Sequence, residues 1–385
     1  MPPTLFFQSE IKNPYLLYET MLKENPVYWD EGNKLWAIYS YTGCLSILNN
    51  PATHIPSINF NNRDELNAVA ILITHQLARL SNESQHTITR QAAMLLAGKM
   101  KPVSIADIID KLITTGETDW VEAVCKKLPV LAVLQSFDFN AADADIITGN
   151  IAQLIKLMLP HKSSEQVKEI NKISVAIYAI TEKHILTAPF LTPVISLLSE
   201  RCKIEASTAL SLCVSNLIGL FIQSYDAGRG VLSNSLLQII GKPNSKSPLA
   251  PGKDFIEKSI VETLRFDPPV QNTRRIAVST ILLAGAEIKK GDTILVVLAA
   301  ANRDPHQFNQ PGIYNIERSN NADHLTFGIG NHMCVAKHFS VSLATTAFSW
   351  LFERFKKIRI SETVIEYEPL INVRLPKKIM ISLKK

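Results

Sequence analysis

The segment Phe327-Gly-Ile-Gly-Asn-His-Met-Cys334-Val-Ala-Lys337 is a glycine-rich, apolar loop that delivers a single cysteine to the start of a stretch with helical periodicity. Backbone N–H groups and the positive end of a helix at such a point hold a thiolate, lower its pKa and make it a metal ligand. The other cysteines, Cys44, Cys125, Cys202 and Cys213, are widely spaced and none forms a CxxC pair, so neither a disulfide framework nor a zinc site is indicated. A lone soft ligand suits haem iron, on which one proximal thiolate leaves the opposite face open. From the residues alone, an inert buried cysteine after a turn explains the segment equally well.

The elements that must position this loop are mostly helices. Only 15 of 385 residues are glycine and 19% are charged, against 46% hydrophobic, a balance that favours long helices over turn-rich β architecture. Apolar residues recur at helical spacing over 13–23, 65–80, 86–97, 105–115, 143–159, 170–186, 193–201, 204–240, 255–265 and 334–355. Alternating, β-like segments are short and lie near both ends, at 27–39, 270–298 and 358–383. The expected fold class is therefore mainly α with small β-sheets (α+β), its sheet built from both termini. No repeat is visible, and the one breaker-rich gap, 241–252, resembles a surface loop more than a linker, so a single domain over 1–385 is expected. The stretch 204–240 predicts a helix long enough to cross the whole molecule, and the polar residues in its middle require an explanation.

Charge and targeting signals exclude several classes. A net charge of +5, dispersed along the chain, gives no case for nucleic acid. The start, MPPTLFFQSEIKNPY, lacks the pattern of a signal peptide. The most apolar window, 206–222, is interrupted by Ser207, Thr208, Ser211, Ser215 and Asn216, so no membrane span is expected. A soluble, cytoplasmic protein with reduced thiols is the expectation.

Specific motifs sharpen the cysteine loop. It resembles the haem-ligand signature of the cytochrome P450 family, FGxGxHxCxG: Phe327, Gly328, Gly330, His332 and Cys334 are in place, and Ala336 stands at the last glycine. Glu262-Thr-Leu-Arg265 resembles the family's ExxR helix, Asn302-Arg-Asp-Pro305 with Phe308 and Pro311 its NRDPxxFxxP stretch, and His86-Thr-Ile-Thr-Arg90 its HxxxR helix. The resemblance covers nearly the whole chain. It implies a haem domain with a long central helix over the haem, a non-covalent haem b ligated by Cys334, and a monooxygenase activity using dioxygen and a small organic substrate. It implies further that His86, Arg90, Arg275 and His332 hold the haem carboxylates, with Arg274 adjacent to Arg275 as a rival for that role, and that Phe327 borders the haem. Glu262 and Arg265, three apart on one helix face, can hold a charge-assisted network that fixes the cysteine loop. The family's usual Arg or His two residues after Pro311 is replaced here by Ile313, which puts the third member of that network in question.

The oxygen side departs from the family. Counting back from Glu262 places its acid–threonine motif on Gln223-Ser224-Tyr225-Asp226-Ala227, with the acid kept as Asp226 and the threonine replaced by Ala227. Loss of one hydrogen bond to a charged group, about 2 kcal/mol, corresponds to roughly a thirtyfold slower step. Gln223, four residues earlier on the same helix face, is the candidate to replace it, with Ser224 or a water completing a relay. The alternatives are a peroxide-using or non-oxygenase enzyme and a non-catalytic haem binder. By resemblance the substrate is bounded by 58–80, 143–186, the centre of the long helix, and Gln271, Asn272 and Thr273 with Ile371 and Asn372. This polar lining suggests an oxygenated, secondary-metabolite-type substrate. The implied electron partners are a separate ferredoxin with an NAD(P)H-dependent reductase, or a flavodoxin, with Lys99, Lys101 and Lys337 as a candidate docking patch.

Overall fold

The computed structural model describes residues 3–57, 65–113, 115–159, 161–241, 251–361 and 364–384. The expected surface loop at 241–252 thus lies largely outside the described residues. The chain divides into two compact units, Met1–His54 with Ile105–Lys126 and Ala227–Lys385, and Ile55–Ser104 with Lys127–Asp226. Both are discontinuous in sequence, which no composition shift marks.

The first unit contains the sheets. The hairpin Val27–Asp30 and Leu35–Ile38 pairs antiparallel with Val27 opposite Ile38, and Leu35–Ile38 then runs parallel to Thr293–Val296. Thr273–Ala277 pairs antiparallel with Thr293–Val296, and Thr53–His54 closes the edge. The sheet is built from both ends of the chain, as the β-like segments suggest. Strand alternation sorts its faces: Ile38, Ile294 and Val296 pack with Cys44, Ile47 and Leu325 on one side, and Leu35, Ala37 and Leu295 with Tyr18 and Met21 on the other. A second sheet joins Lys357–Ile360, Met380–Lys384 and Gly116–Asp119. The last of these, Gly-Glu-Thr-Asp, carries no β-type alternation; its partner strand makes it a strand. Helices Lys253–Phe266 and Lys337–Arg354 pack together in this unit.

The second unit is helical, with Ala68–Gln76, Glu83–Ala97, Leu128–Ser136, Ala141–Leu154, Ser164–Thr187 and Thr192–Cys202. Leu128–Ser136 escapes periodicity because Leu-Pro-Val-Leu-Ala-Val-Leu is apolar all round and offers no contrast. Ser163 and Gln166 form a capping box that starts the next long helix at Ser164, six residues before the apolar spacing that begins at 170. Lys203, left-handed at φ 54°, separates Thr192–Cys202 from the long helix Ala206–Ile240, which spans 35 residues.

That helix is long and apolar enough to pass a test for a membrane span, yet Leu217, Ile218 and Phe221 are wholly buried against protein. The polar residues in its first third serve a clamp at the end of Ala68–Gln76. Ser211 and Ser215 both donate to Gln76 Oε1, at 2.9 and 2.7 Å. Asn216 donates to the Gln76 carbonyl and accepts from the Ala78 N–H, so the backbone that leaves the short helix is also satisfied. Gln76→Ala strands two hydroxyls and is expected to lower stability by about 1–3 kcal/mol, read from urea unfolding; Gln76→Glu, which keeps the acceptor, should cost less.

Candidate functional site

The cysteine loop closes on itself. Gly328 and Gly330 adopt φ of +65° and +68°, left-handed values that side-chain-bearing residues rarely take. A Cβ on Gly330 would also come within 2.7 Å of Asn49 Oδ1. Gly328 N–H donates to Leu325 O, Met333 N–H to Gly330 O and Cys334 N–H to Phe327 O, the last at 2.9 Å, so the loop begins and ends at one point. The following helix starts at Lys337 and not at the cysteine, with Ala336 as its cap residue. Cys334 is therefore held by the turn, with the helix end three residues on.

Burial separates this thiol from most of the others. Cys44, Cys125 and Cys213 are wholly buried, and burial pushes the thiol up in each of them, which keeps it protonated and inert. Cys202 and Cys334 are half-buried, and only Cys334 sits in a glycine turn.

Glu262 and Arg265 are both wholly buried on helix Lys253–Phe266. Arg265 forks onto Glu262 through Nε and Nη2, at 2.8 and 2.7 Å, and spends its other donors on the carbonyls of Asn302, Pro311 and Ile313. Glu262 Oε1 also accepts the Asn315 N–H at 2.9 Å. The third member, in question from Ile313, is Arg318: its Nε lies 3.7 Å from Glu262 Oε1. Ile313 itself contributes only its backbone carbonyl, and its side chain is 54% exposed. The basic residue expected two positions after Pro311 sits seven after it.

Of the two adjacent arginines, Arg275 faces inward and Arg274 outward, as neighbours on a strand must. Arg275 Nη1 donates to Thr273 Oγ1 and Arg274 O, and burial alone pulls its pKa down to about 10. A buried guanidinium without a carboxylate partner among the described residues is the chemistry an added anion satisfies, and a haem carboxylate fits it. In the helical unit, His86 and Arg90 lie one turn apart on Glu83–Ala97, and burial and the Arg90 charge both push His86 toward its neutral form. Two basic groups at that spacing likewise suit an anion. His332 lies in the short turn Gly330–His332.

Several candidates take other roles. Gln271 is wholly buried and belongs to the core: it accepts from Tyr18 Oη and donates to Pro268 O at 2.6 Å, which removes it from the substrate lining. Asn272 donates to Ile371 O at 2.9 Å, so Asn272, Thr273, Ile371 and Asn372 are neighbours at the start of the strand. Gln223 does not hold its amide free, because Nε2 donates to Gly219 O one turn back at 3.0 Å. Ser224 likewise bonds Phe221 O. Ala227 offers only a methyl, while Asp226 is half-buried. Lys101 pairs with Asp138 and stands over the Phe190 ring, so it is not a spare cation for docking. The 58–64 part of the expected substrate boundary lies outside the described residues.

Residues 254–383 match the family described as Cytochrome P450. The biotin biosynthesis cytochrome P450 of Bacillus subtilis (strain 168) is 26% identical over 97% of this chain and 96% of its own length. The chain is similar, over nearly its whole length, to cytochromes P450. Pulcherriminic acid synthase of the same strain is 20% identical over 96% of this chain and 95% of its own. Among solved structures, P450BioI in complex with a hexadec-9Z-enoic acid-ligated acyl carrier protein superposes with a TM-score of 0.83 at 22% identity, covering 98% of this chain and all of that one. CalO2 gives 0.84 at 19% identity, over 100% and 98%. That likeness is to a family of monooxygenases that carry haem b bound through a cysteine thiolate.

One residue near the loop was not anticipated. His324, buried three positions before Phe327, accepts the Thr326 N–H on Nδ1, and burial, reinforced by the Lys337 and Arg265 charges, depresses its pKa to about 3. The fold holds it neutral, so stability is full above the unfolded value near 6.5 and falls as acid protonates the unfolded chain. Between pH 6.5 and 5 this group is expected to remove about 2 kcal/mol, seen as a steeper pH dependence of urea unfolding in the wild type than in His324→Asn. Parallel curves would contradict the assignment.

Proposed function

We propose that the chain is a haem-thiolate monooxygenase in which Cys334 is the axial ligand and Arg275, His332, His86 and Arg90 hold the haem carboxylates. The observation that carries this reading is the closed glycine turn that presents one half-buried thiol while three other cysteines are buried and inert. Bound haem supplies dioxygen activation with two external electrons. The protein's own residues supply the rest: Arg275 binds and neutralises, the Glu262–Arg265–Arg318 network fixes the loop, and Asp226 belongs to the proton path. Electrons come from a separate ferredoxin and NAD(P)H-dependent reductase, or a flavodoxin. The polar groups Asn272, Thr273 and Asn372 support a small, oxygenated, secondary-metabolite-type substrate in a cytoplasmic setting. Cys334→His is expected to abolish the thiolate-type spectrum of the reduced CO complex together with activity, while the protein still binds haem. An unchanged spectrum would end the ligand assignment.

Ala227 favours a second reading of oxygen use. With Gln223 tied to Gly219 and Ser224 to Phe221, the hydroxyl missing at position 227 is supplied by the substrate, or the enzyme draws on peroxide instead. Ala227→Thr should lower the peroxide released per NAD(P)H consumed. If leakage does not change, that substrate-assisted route fails.

A further inference from the structure

The Glu262–Arg265 pair is not hydrogen-bonded to the cysteine loop; the connection runs through Asn302. Arg265 Nη1 donates to the Asn302 carbonyl at 3.0 Å. The Asn302 side chain, wholly buried, then turns to the loop: Oδ1 accepts the Leu325 N–H at 2.6 Å, and Nδ2 donates to Thr326 Oγ1 at 2.9 Å. Thr326 Oγ1 in turn donates to Leu264 O at 2.5 Å, back on the helix that carries Arg265. One residue on, the Phe327 carbonyl receives the Cys334 N–H at 2.9 Å, and Leu325 O receives the Gly328 N–H at 2.8 Å. The segment that grips Cys334 is thus fastened at Leu325 and Thr326 by one amide. An amide carries an acceptor and donors in one plane, whereas a carboxylate lacks the donors and alanine lacks both.

We propose that Asn302 is a positioning residue that sets the place of Cys334 by clamping Leu325 and Thr326 to the end of helix Lys253–Phe266. Its spectroscopic consequence rests on the haem-thiolate reading above; the clamp itself does not. Neither Asn302 nor Thr326 acts on substrate. They convert the fixed position of Arg265 into a fixed position of the loop backbone, and the Thr326 hydroxyl acts as a relay that accepts from Asn302 and donates to Leu264.

The test uses full-length, haem-loaded Asn302→Ala, Thr326→Val and Thr326→Ser, with two readouts. Hydrogen exchange is followed in peptides covering 325–334 and 253–266, and the reduced CO spectrum reports the fraction of thiolate-ligated haem. Asn302→Ala should speed exchange over 325–334 by about tenfold, leave 253–266 protected, and shift part of the thiolate-type band to the thiol type. Thr326→Val should do the same to a smaller degree, and Thr326→Ser, which keeps the hydroxyl, should match the wild type on both readouts. A folded Asn302→Ala with unaltered exchange and spectrum overturns the proposal, as does identical behaviour of the valine and serine variants. If Asn302→Ala does not fold, the contrast at position 326 decides alone. If the wild type itself lacks a thiolate-type band, the haem-thiolate reading fails and exchange still judges the clamp.

Discussion

The structure of the first unit depends on one buried ion pair. Removing Glu262 and Arg265 from water costs several kcal/mol per charge, and their attraction alone need not recover it. The cost is offset because no strong donor of the guanidinium group is wasted: Arg265 meets Glu262 twice and three carbonyls besides. Those carbonyls belong to residues 302, 311 and 313, far along the chain: the first caps the short helix Leu298–Ala301, and the other two lie in irregular backbone with no ladder or helix of its own. A planar fork with fixed angles can specify such backbone where a hydrophobic contact cannot. The pair contributes register more than stability.

This constraint explains why irregular segments can hold a reactive group at all. The loop at 325–334 uses two left-handed glycines and a closing backbone bond, and such a turn is free to pivot as a unit unless its base is held. Its base is held by side chains that reach from already fixed elements. Strand geometry performs the same service for Arg275, since the inward face is decided by alternation once Thr273–Ala277 is paired with Thr293–Val296.

Much of this was legible in the sequence, and what was missed has physical reasons. The cysteine turn, Glu262–Arg265 and the two-ended sheet follow from spacing and periodicity. Strand Gly116–Asp119 and helix Leu128–Ser136 were not visible because tertiary pairing overrides propensity in the first and uniform apolarity hides the period in the second. Arg318 was missed as a network member because it reaches Glu262 from seven residues after Pro311 instead of two, and Asn302 because its role depends on backbone carbonyl and N–H groups, which no pattern of side-chain types encodes. Gln271 misled for the converse reason: a polar residue near a presumed pocket was assigned to it, whereas its amide was satisfying Tyr18 and a buried carbonyl.

The parallel pairing of Leu35–Ile38 with Thr293–Val296 has a consequence for biosynthesis. The amino-terminal hairpin leaves the ribosome more than 250 residues before the strand that completes its sheet. An isolated two-stranded hairpin is marginal in water, so its hydrogen-bonding edge stays open to wrong partners for as long as translation of that interval takes. The mostly helical unit in between is rich in local contacts and is complete by Asp226, which lets it acquire structure while the sheet still waits. Assembly of the first unit is therefore a late event, governed by the last strands synthesised, and the nascent chain is most exposed to aggregation during that interval.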